Sequence, residues 1–181
     1  MWRFEIGGNI EQLNKYIYFA ELAKPIQIDR QLFVQTAFIS KKIKLGKWHT
    51  TNQIIWQKST NEDIINIPEF VFFHSSYVEL QFKKILTLHL GIDLNYTTSY
   101  KAMNYNPSVG QFFYENNNTI KTGNYPIGSI FANALIKESV LLFIKFEHVN
   151  SGLVQDLYYT TNHYPINNRM FKVGVRWTFP N

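Results

Sequence analysis

The chain has 181 residues, of which 45% are hydrophobic, 17% aromatic and 17% charged, with no cysteine and a formal net charge of +5. That length suits one domain with a sizeable core, and the lack of cysteine excludes a disulfide framework or a thiolate metal site. The basic excess contains no compact Lys/Arg run interleaved with aromatics, so it reads as a solvated surface and argues against a nucleic-acid partner.

Charged residues fall below the usual quarter or so, while 11 tyrosines and 15 phenylalanines enrich the chain in strand-forming types. No segment reaches the roughly 18 consecutive apolar residues of a membrane-spanning helix, which excludes helical spanning but not a barrel of alternating strands. The start, Met1-Trp-Arg-Phe-Glu-Ile-Gly-Gly8, has no charged region followed by an apolar one. It carries no secretory signal, so if the chain is exported the beginning of its precursor lies elsewhere.

In chain order, Trp2 to Ile6 reads as a short strand ended by Gly7-Gly8-Asn9, and Lys15 to Phe19 as a second, followed by a connector holding Pro25. Leu32 to Leu45 and Trp48 to Ser59 are strand-like and separated only by Gly46-Lys47, a hairpin signal. After a polar loop from Thr60 to Pro68, a strand ending in Val78-Glu-Leu-Gln-Phe-Lys83 precedes an alternating run in which Leu86, Leu88, Leu90, Ile92, Leu94 and Tyr96 share one face. A hairpin centred near Ile85 sets Gln81 opposite His89, Glu79 opposite Gly91 and Leu80 opposite Leu90.

Lys101 to Asn124 is long enough to be a functional loop or a disordered one. The next hairpin turns at Lys137-Glu-Ser139. It carries Ile130, Ala132, Ala134, Ile136, Val140, Leu142, Ile144 and Phe146 on one face, and Ser129, Asn133, Lys145 and Glu147 on the other. Phe131, Leu135, Leu141 and Phe143 interrupt that second, wetter face. A connector from Asn150 to Asn168 leads to the last strand, where Phe171, Val173, Val175, Trp177 and Phe179 alternate with Lys172, Gly174, Arg176 and Thr178. The expected neighbours of this strand are Val140 to Val149 on one side and, on the other, a first strand that the chain does not contain.

The connectors alternate short and long, the rhythm of an outer-membrane barrel with tight periplasmic turns and longer extracellular loops. The count is about nine strands, and an odd number leaves the first strand starting at the long-loop rim without a partner. The expectation is an all-β, antiparallel, up-and-down transmembrane β-barrel of which residues 1–181 are the C-terminal part, with no second domain. Nine strands with two open edges would aggregate unless the missing N-terminal strands complete the barrel.

Particular sequence words extend this reading: Lys15-Tyr-Ile-Tyr-Phe with Lys24-Pro-Ile-Gln, Asn52-Gln-Ile-Ile-Trp-Gln-Lys-Ser, Ile67-Pro-Glu-Phe, Tyr105-Asn-Pro-Ser-Val-Gly-Gln-Phe-Phe, Lys145-Phe-Glu-His-Val-Asn-Ser-Gly-Leu153, His163-Tyr-Pro and Arg169-Met-Phe-Lys-Val-Gly-Val-Arg-Trp-Thr-Phe. In this order they resemble the porin family of Bacteroidetes outer membranes, specifically its C-terminal portion. The resemblance implies passive diffusion of small solutes across the Gram-negative outer membrane, with lipid around the barrel and barrel-assembly machinery engaging the C-terminal strand. Family members are much longer and carry a signal peptide. Assembly signals usually end on an aromatic residue, whereas Pro180-Asn181 follow Phe179 here.

The lumen-facing candidates are Glu79, Gln81, His89, Asp93, Asn133, Lys145, Glu147, Lys172 and Arg176. Lipid-facing or girdle candidates are Leu88, Leu90, Ile92, Leu94, Tyr96, Phe146, Phe171, Trp177 and Phe179, with Trp48, Trp56, Tyr100 and Tyr164 as further girdle aromatics. Lys41, Lys42, Lys44, Lys47, Lys83, Lys84 and Lys137 form a solvated short-turn rim. No histidine sits at metal spacing, and His89 with Asp93 reads as channel wall; Glu147 and His148 point to opposite faces. No phosphate-loop or nucleophile-elbow pattern is present, and neither a cofactor nor an enzymatic activity is expected. Asn95-Tyr-Thr97 and Asn117-Asn-Thr119 match the glycan-acceptor pattern by chance as readily as by function. Two alternatives remain: a soluble β-sandwich or barrel binding glycans or lipids, and the barrel end of a TonB-dependent transporter.

Overall fold

A computed structural model describes residues 2–115, 120–153 and 158–179. Asn117 to Thr119 and Pro180-Asn181 lie outside the described residues. One antiparallel sheet of eight long strands runs in strict sequence order. These are β1 (Trp2–Leu13), β2 (Leu32–Leu45), β3 (Trp48–Ser59), β4 (Phe70–Phe82), β5 (Leu86–Thr97), β6 (Ile127–Ile136), β7 (Val140–Glu147) and β8 (Met170–Trp177). The sheet is open, with β1 and β8 as its edges. Among the described residues, no helix is long and apolar enough to cross a membrane.

The expected count of nine becomes eight because Gly7-Gly8-Asn9 is not a turn: β1 continues through it and pairs with β2 over its whole length, Trp2 to Ile43 through Leu13 to Leu32. Here glycine serves close packing. The Phe38 ring occupies the space that a Gly7 side chain would need, with its Cε1 2.6 Å from an ideal Cβ. The Lys15–Phe19 segment contributes instead to a separate ribbon, Ile17–Ala20 with Lys24–Gln27, in which Pro25 sits opposite Phe19. With an even count, both β1 at Trp2 and β8 at Trp177 lie at the short-turn end, and the parity argument built on nine strands falls away.

The short turns are 46–47, 83–85 and 137–139. In the second, Lys83 and Lys84 adopt φ of 47° and 55°, and in the third Lys137 and Glu138 adopt 48° and 58°. These left-handed conformations cost an L-residue about 1–2 kcal/mol, and are held here because their twist matches that of the flanking strands. The Lys83–Ile85 turn moves the hairpin centre from Ile85 to Lys84. The pairs are therefore Glu79 with His89, Leu80 with Leu88 and Gln81 with Thr87, instead of those expected. The shift is an even number of residues, so no side chain changes face.

The long connectors carry structure of their own. Asn104–Asn106 pairs with Gln111–Phe113, Tyr100–Lys101 with Lys121–Thr122, and Tyr159–Thr161 with Tyr164–Pro165. The buried apolar residues Ala23, Leu32, Ile64, Ala102 and Tyr125 all belong to this end of the molecule. The described part of the Lys101 to Asn124 segment is thus a folded loop, and the core of the protein sits among the connectors, not against the sheet.

Gly91 on β5 makes the most demanding close approach within the sheet. A Cβ there would lie 2.5 Å from the Ser76 carbonyl oxygen and 2.6 Å from both the Phe131 ring and Tyr77 Cβ. Gly91→Ala is expected to destabilise the folded protein by about 1–3 kcal/mol through overpacking. Gly128→Ala, whose new Cβ would meet nothing closer than 3.5 Å, should be near neutral. The temperature at which heat-modifiable gel migration of the intact protein is lost compares the two directly.

Candidate functional site: the polar face of the sheet

Register places every charged candidate on one face. Glu79 opposes His89, Asp93 opposes Ser129, Ser129 opposes Glu147, Asn133 opposes both His89 and Phe143, and Lys145 opposes Lys172. Gln81 and Arg176 have the same parity. The opposite face carries Leu88, Leu90, Ile92, Leu94, Tyr96, Phe146, Phe171 and Trp177. On the edge strand, Phe171, Val173, Val175 and Trp177 are 65%, 67%, 66% and 61% exposed. Phe179 lies beyond β8 and stacks on Trp177 at 4.9 Å.

The charges on the polar face form a ladder running across the strands. Asp93 takes Lys145 Nζ at 2.9 Å; Lys145 also lies 3.9 Å from Glu147, and Glu147 takes Lys172 Nζ at 2.6 Å. Lys145 thus bridges β5 and β7 across β6, where its direct neighbour is the uncharged Phe131. A second cluster surrounds Glu79, with His89 Nε2 at 3.4 Å, His49 Nε2 at 3.6 Å and Lys44 Nζ at 3.9 Å. Tyr77 stacks on His49 at 4.7 Å and contacts His89 at 4.8 Å, which makes it a ring platform between the two imidazoles.

His89 and Asp93, which share a face, therefore have different neighbours: His89 lies 3.4 Å from Glu79, whereas Asp93 pairs with Lys145. The aromatics that interrupt this face fill space above glycines: Phe131 over Gly91, and Phe143 over Gly174 with its Cζ 2.3 Å from an ideal Cβ. His49 and Tyr77 were absent from the sequence candidates, since the polar residues of β3 occur at both parities and hide its alternation. Among the described residues, no group of three His, Asp or Glu side chains is placed to hold a metal ion.

The connectors lock to one another above the long-loop end of the sheet. Asn104 bonds Glu115 and Asn162, Thr161 bonds the Met103 carbonyl, and Thr122 bonds the Tyr159 carbonyl. Tyr114 N–H donates to Phe19 O at 3.0 Å, and Lys101 pairs with Asp63 at 2.9 Å. His148 belongs to this layer: its Nδ1–H donates to Asn167 O at 2.7 Å, leaving Nε2 to accept from the Tyr125 hydroxyl at 2.9 Å. Burial, and then neighbouring Tyr158, raise the pKa of Tyr125, whose hydroxyl also lies 3.2 Å from the Asn150 carbonyl oxygen. Between the 17–27 ribbon and the 60–67 connector lies a cavity of about 470 Å³ lined by Tyr18, Lys24, Arg30, Asp63 and Tyr114.

Tyr100 and Tyr164 prove to be connector residues and not strand-end aromatics. Trp48 and Trp177 stand near the short turns, and Trp56 and Tyr96 near the long connectors. Lys41 is also misplaced by the expectation of a uniform Lys rim. It points to the apolar face between Phe4 and Asn52, while Lys42 and Lys44 point to the polar face.

A sheet with one charged face and one exposed apolar face, joined by alternating short and long connectors, is the pattern of a membrane barrel wall. The family model described as "Putative porin" matches residues 1–181. The chain belongs to this porin family. No curated protein matches it. A porin-like role agrees with a polar face whose charged groups pair in a ladder across the strands.

Asp93 is the most enclosed acid in this porin's ladder, its side chain only 14% exposed. Lys145→Gln removes its charge partner and is expected to lower stability by roughly 1–3 kcal/mol, as expected for a charged group left without its partner. Lys145→Arg should retain most of that stability. Thermal loss of heat-modifiable migration in the intact protein measures both.

Proposed function

We propose that the eight strands form part of the wall of an outer-membrane β-barrel, with the polar face toward an aqueous lumen and the apolar face toward lipid, and that small solutes diffuse passively through it. The observation that carries this reading is the sorting of charge. Glu5, Glu11, Glu79, Asp93 and Glu147, the acidic residues of the long strands, all lie on one face, while the other leaves Phe, Ile, Leu, Val and Trp exposed. In water that apolar face would be an aggregation surface, whereas in hydrocarbon it is solvated. Further strands of the same barrel are the natural partners for the unpaired backbone groups of β1 and β8. Barrel-assembly machinery would engage the chain through β8. The locked connectors and their cavity would shape the outer mouth.

The polar face mixes signs: Arg3, Lys42, Lys44, Lys145, Lys172 and Arg176 share it with the acids. Such a wall passes polar solutes with modest charge preference. Planar-bilayer recording of the intact protein should give stepwise conductance. Converting both Lys172 and Arg176 to Glu should shift the reversal potential in a salt gradient toward cation preference. An intact protein that stays soluble without detergent and conducts no ions would overturn the proposal.

A further inference from the structure

On an apolar face without a single acidic strand residue, a polar patch stands where β2, β3 and β4 run side by side. Two adjacent rows cross it: Phe4, Lys41, Asn52, His74 and Leu94 in one, Trp2, Ile43, Thr50, Ser76 and Ile92 in the other. Thr50 and Ser76 are buried, at 5% and 9% exposure. His74 Nδ1 lies 2.7 Å from Asn52 Oδ1, Asn52 Nδ2 reaches Thr50 Oγ1 at 3.5 Å, and Trp48 Nε1–H donates to Ser76 Oγ at 2.7 Å. Lys41 Nζ sits 5.0 Å from the Trp2 ring centre. Among the described residues it has no carboxylate partner.

Resting on the membrane reading above, we propose that this patch binds the phosphate of an anionic phospholipid at the short-turn side of the barrel. The groups it offers are donors: the Lys41 ammonium and the Asn52 amide N–H that is not turned to Thr50. His74 holds Asn52 Oδ1, which fixes the other end of the amide as the NH₂ donor. Bare hydrocarbon does not solvate an ammonium, and a second copy of this face has no acid to pair with it. A lipid phosphate supplies the charge, and the Lys41 stem is long enough to bring the ammonium to headgroup level. Trp2 and Trp48 flank the patch, as side chains suited to the membrane–water boundary. The next row toward the long connectors, Ile6, Ile39, Ile54 and Phe72, offers apolar surface for an acyl chain.

The test uses the intact protein in mild detergent, delipidated and titrated with phosphatidylglycerol or phosphatidylcholine, with bound lipid read by native mass spectrometry. Phosphatidylglycerol should be retained over phosphatidylcholine, and Lys41→Ala should weaken its retention roughly five- to tenfold, as the loss of one lysine at an anionic headgroup predicts. Lys41→Arg should restore retention. Lys58→Ala, which removes the other cation of this face at its long-connector end, should leave retention unchanged. Unaltered heat-modifiable migration of Lys41→Ala keeps the comparison free of misfolding. Equal retention by Lys41→Ala and the parent, no preference between the two lipids, or displacement by an equal concentration of inorganic phosphate would overturn the lipid site while leaving the barrel intact. Failure to partition into vesicles at all would instead overturn the membrane reading.

Discussion

The antiparallel hydrogen-bond ladder, in register from β1 to β8, is the constraint on which everything else depends. It satisfies backbone donors and acceptors between neighbouring strands, which is what allows a sheet to leave water. Because side chains alternate with a period of two, the same ladder separates two surfaces of different polarity. An error of one residue in β1, β4, β5, β7 or β8 would carry charge onto the apolar face. That is why the even shift at the Lys83–Ile85 turn is tolerated, and why left-handed Lys and Glu residues are held at the turns that set the register.

Among the described residues, no apolar core lies against the sheet. In a water-soluble domain, the face carrying Phe171, Val173, Val175 and Trp177 would have to be covered by a second layer. Here the close-packed apolar residues are found among the connectors instead, where the ribbons, Ile64 and Tyr125 meet. A polar hydrogen-bond network joins them, with Asn104, His148, Thr161 and Asn162 buried alongside. The connectors enclose a small core of their own, packed by the same burial of apolar surface that drives folding in any domain.

Within the polar face, strength comes from two devices with different reach. Ion pairs extend sideways, with Lys145 linking β5 to β7 past the uncharged β6 and Lys172 tying the edge strand to Glu147. Rings over glycines work at shorter range: Phe38 lies over Gly7, Phe131 and Tyr77 flank Gly91, and Phe143 covers Gly174. Each ring shields a strand position that has no side chain to protect its own backbone. Gly7, which resembles a turn signal in the sequence, is therefore a place where the neighbouring strand lays an aromatic ring across the sheet.

Alternation by itself determined most of the wall. From β5, β7 and β8 alone, the two faces, the turn at 137–139 and the placement of Asp93, Lys145, Glu147 and Lys172 together are legible, because a two-residue period is a local property. Gly7-Gly8 reads as a turn for the same reason, since whether a glycine ends a strand or makes room for a ring depends on residues some thirty positions away. The tertiary structure alone decided the eight-strand count, the coupling of Glu79 to both His49 and His89, and the interlocking of the connectors. It also decided that Lys41, Thr50, Asn52, His74 and Ser76 gather into one polar patch on the apolar face. Each of these depends on register between strands, and register is set by the sum of many cross-strand contacts that no single segment contains.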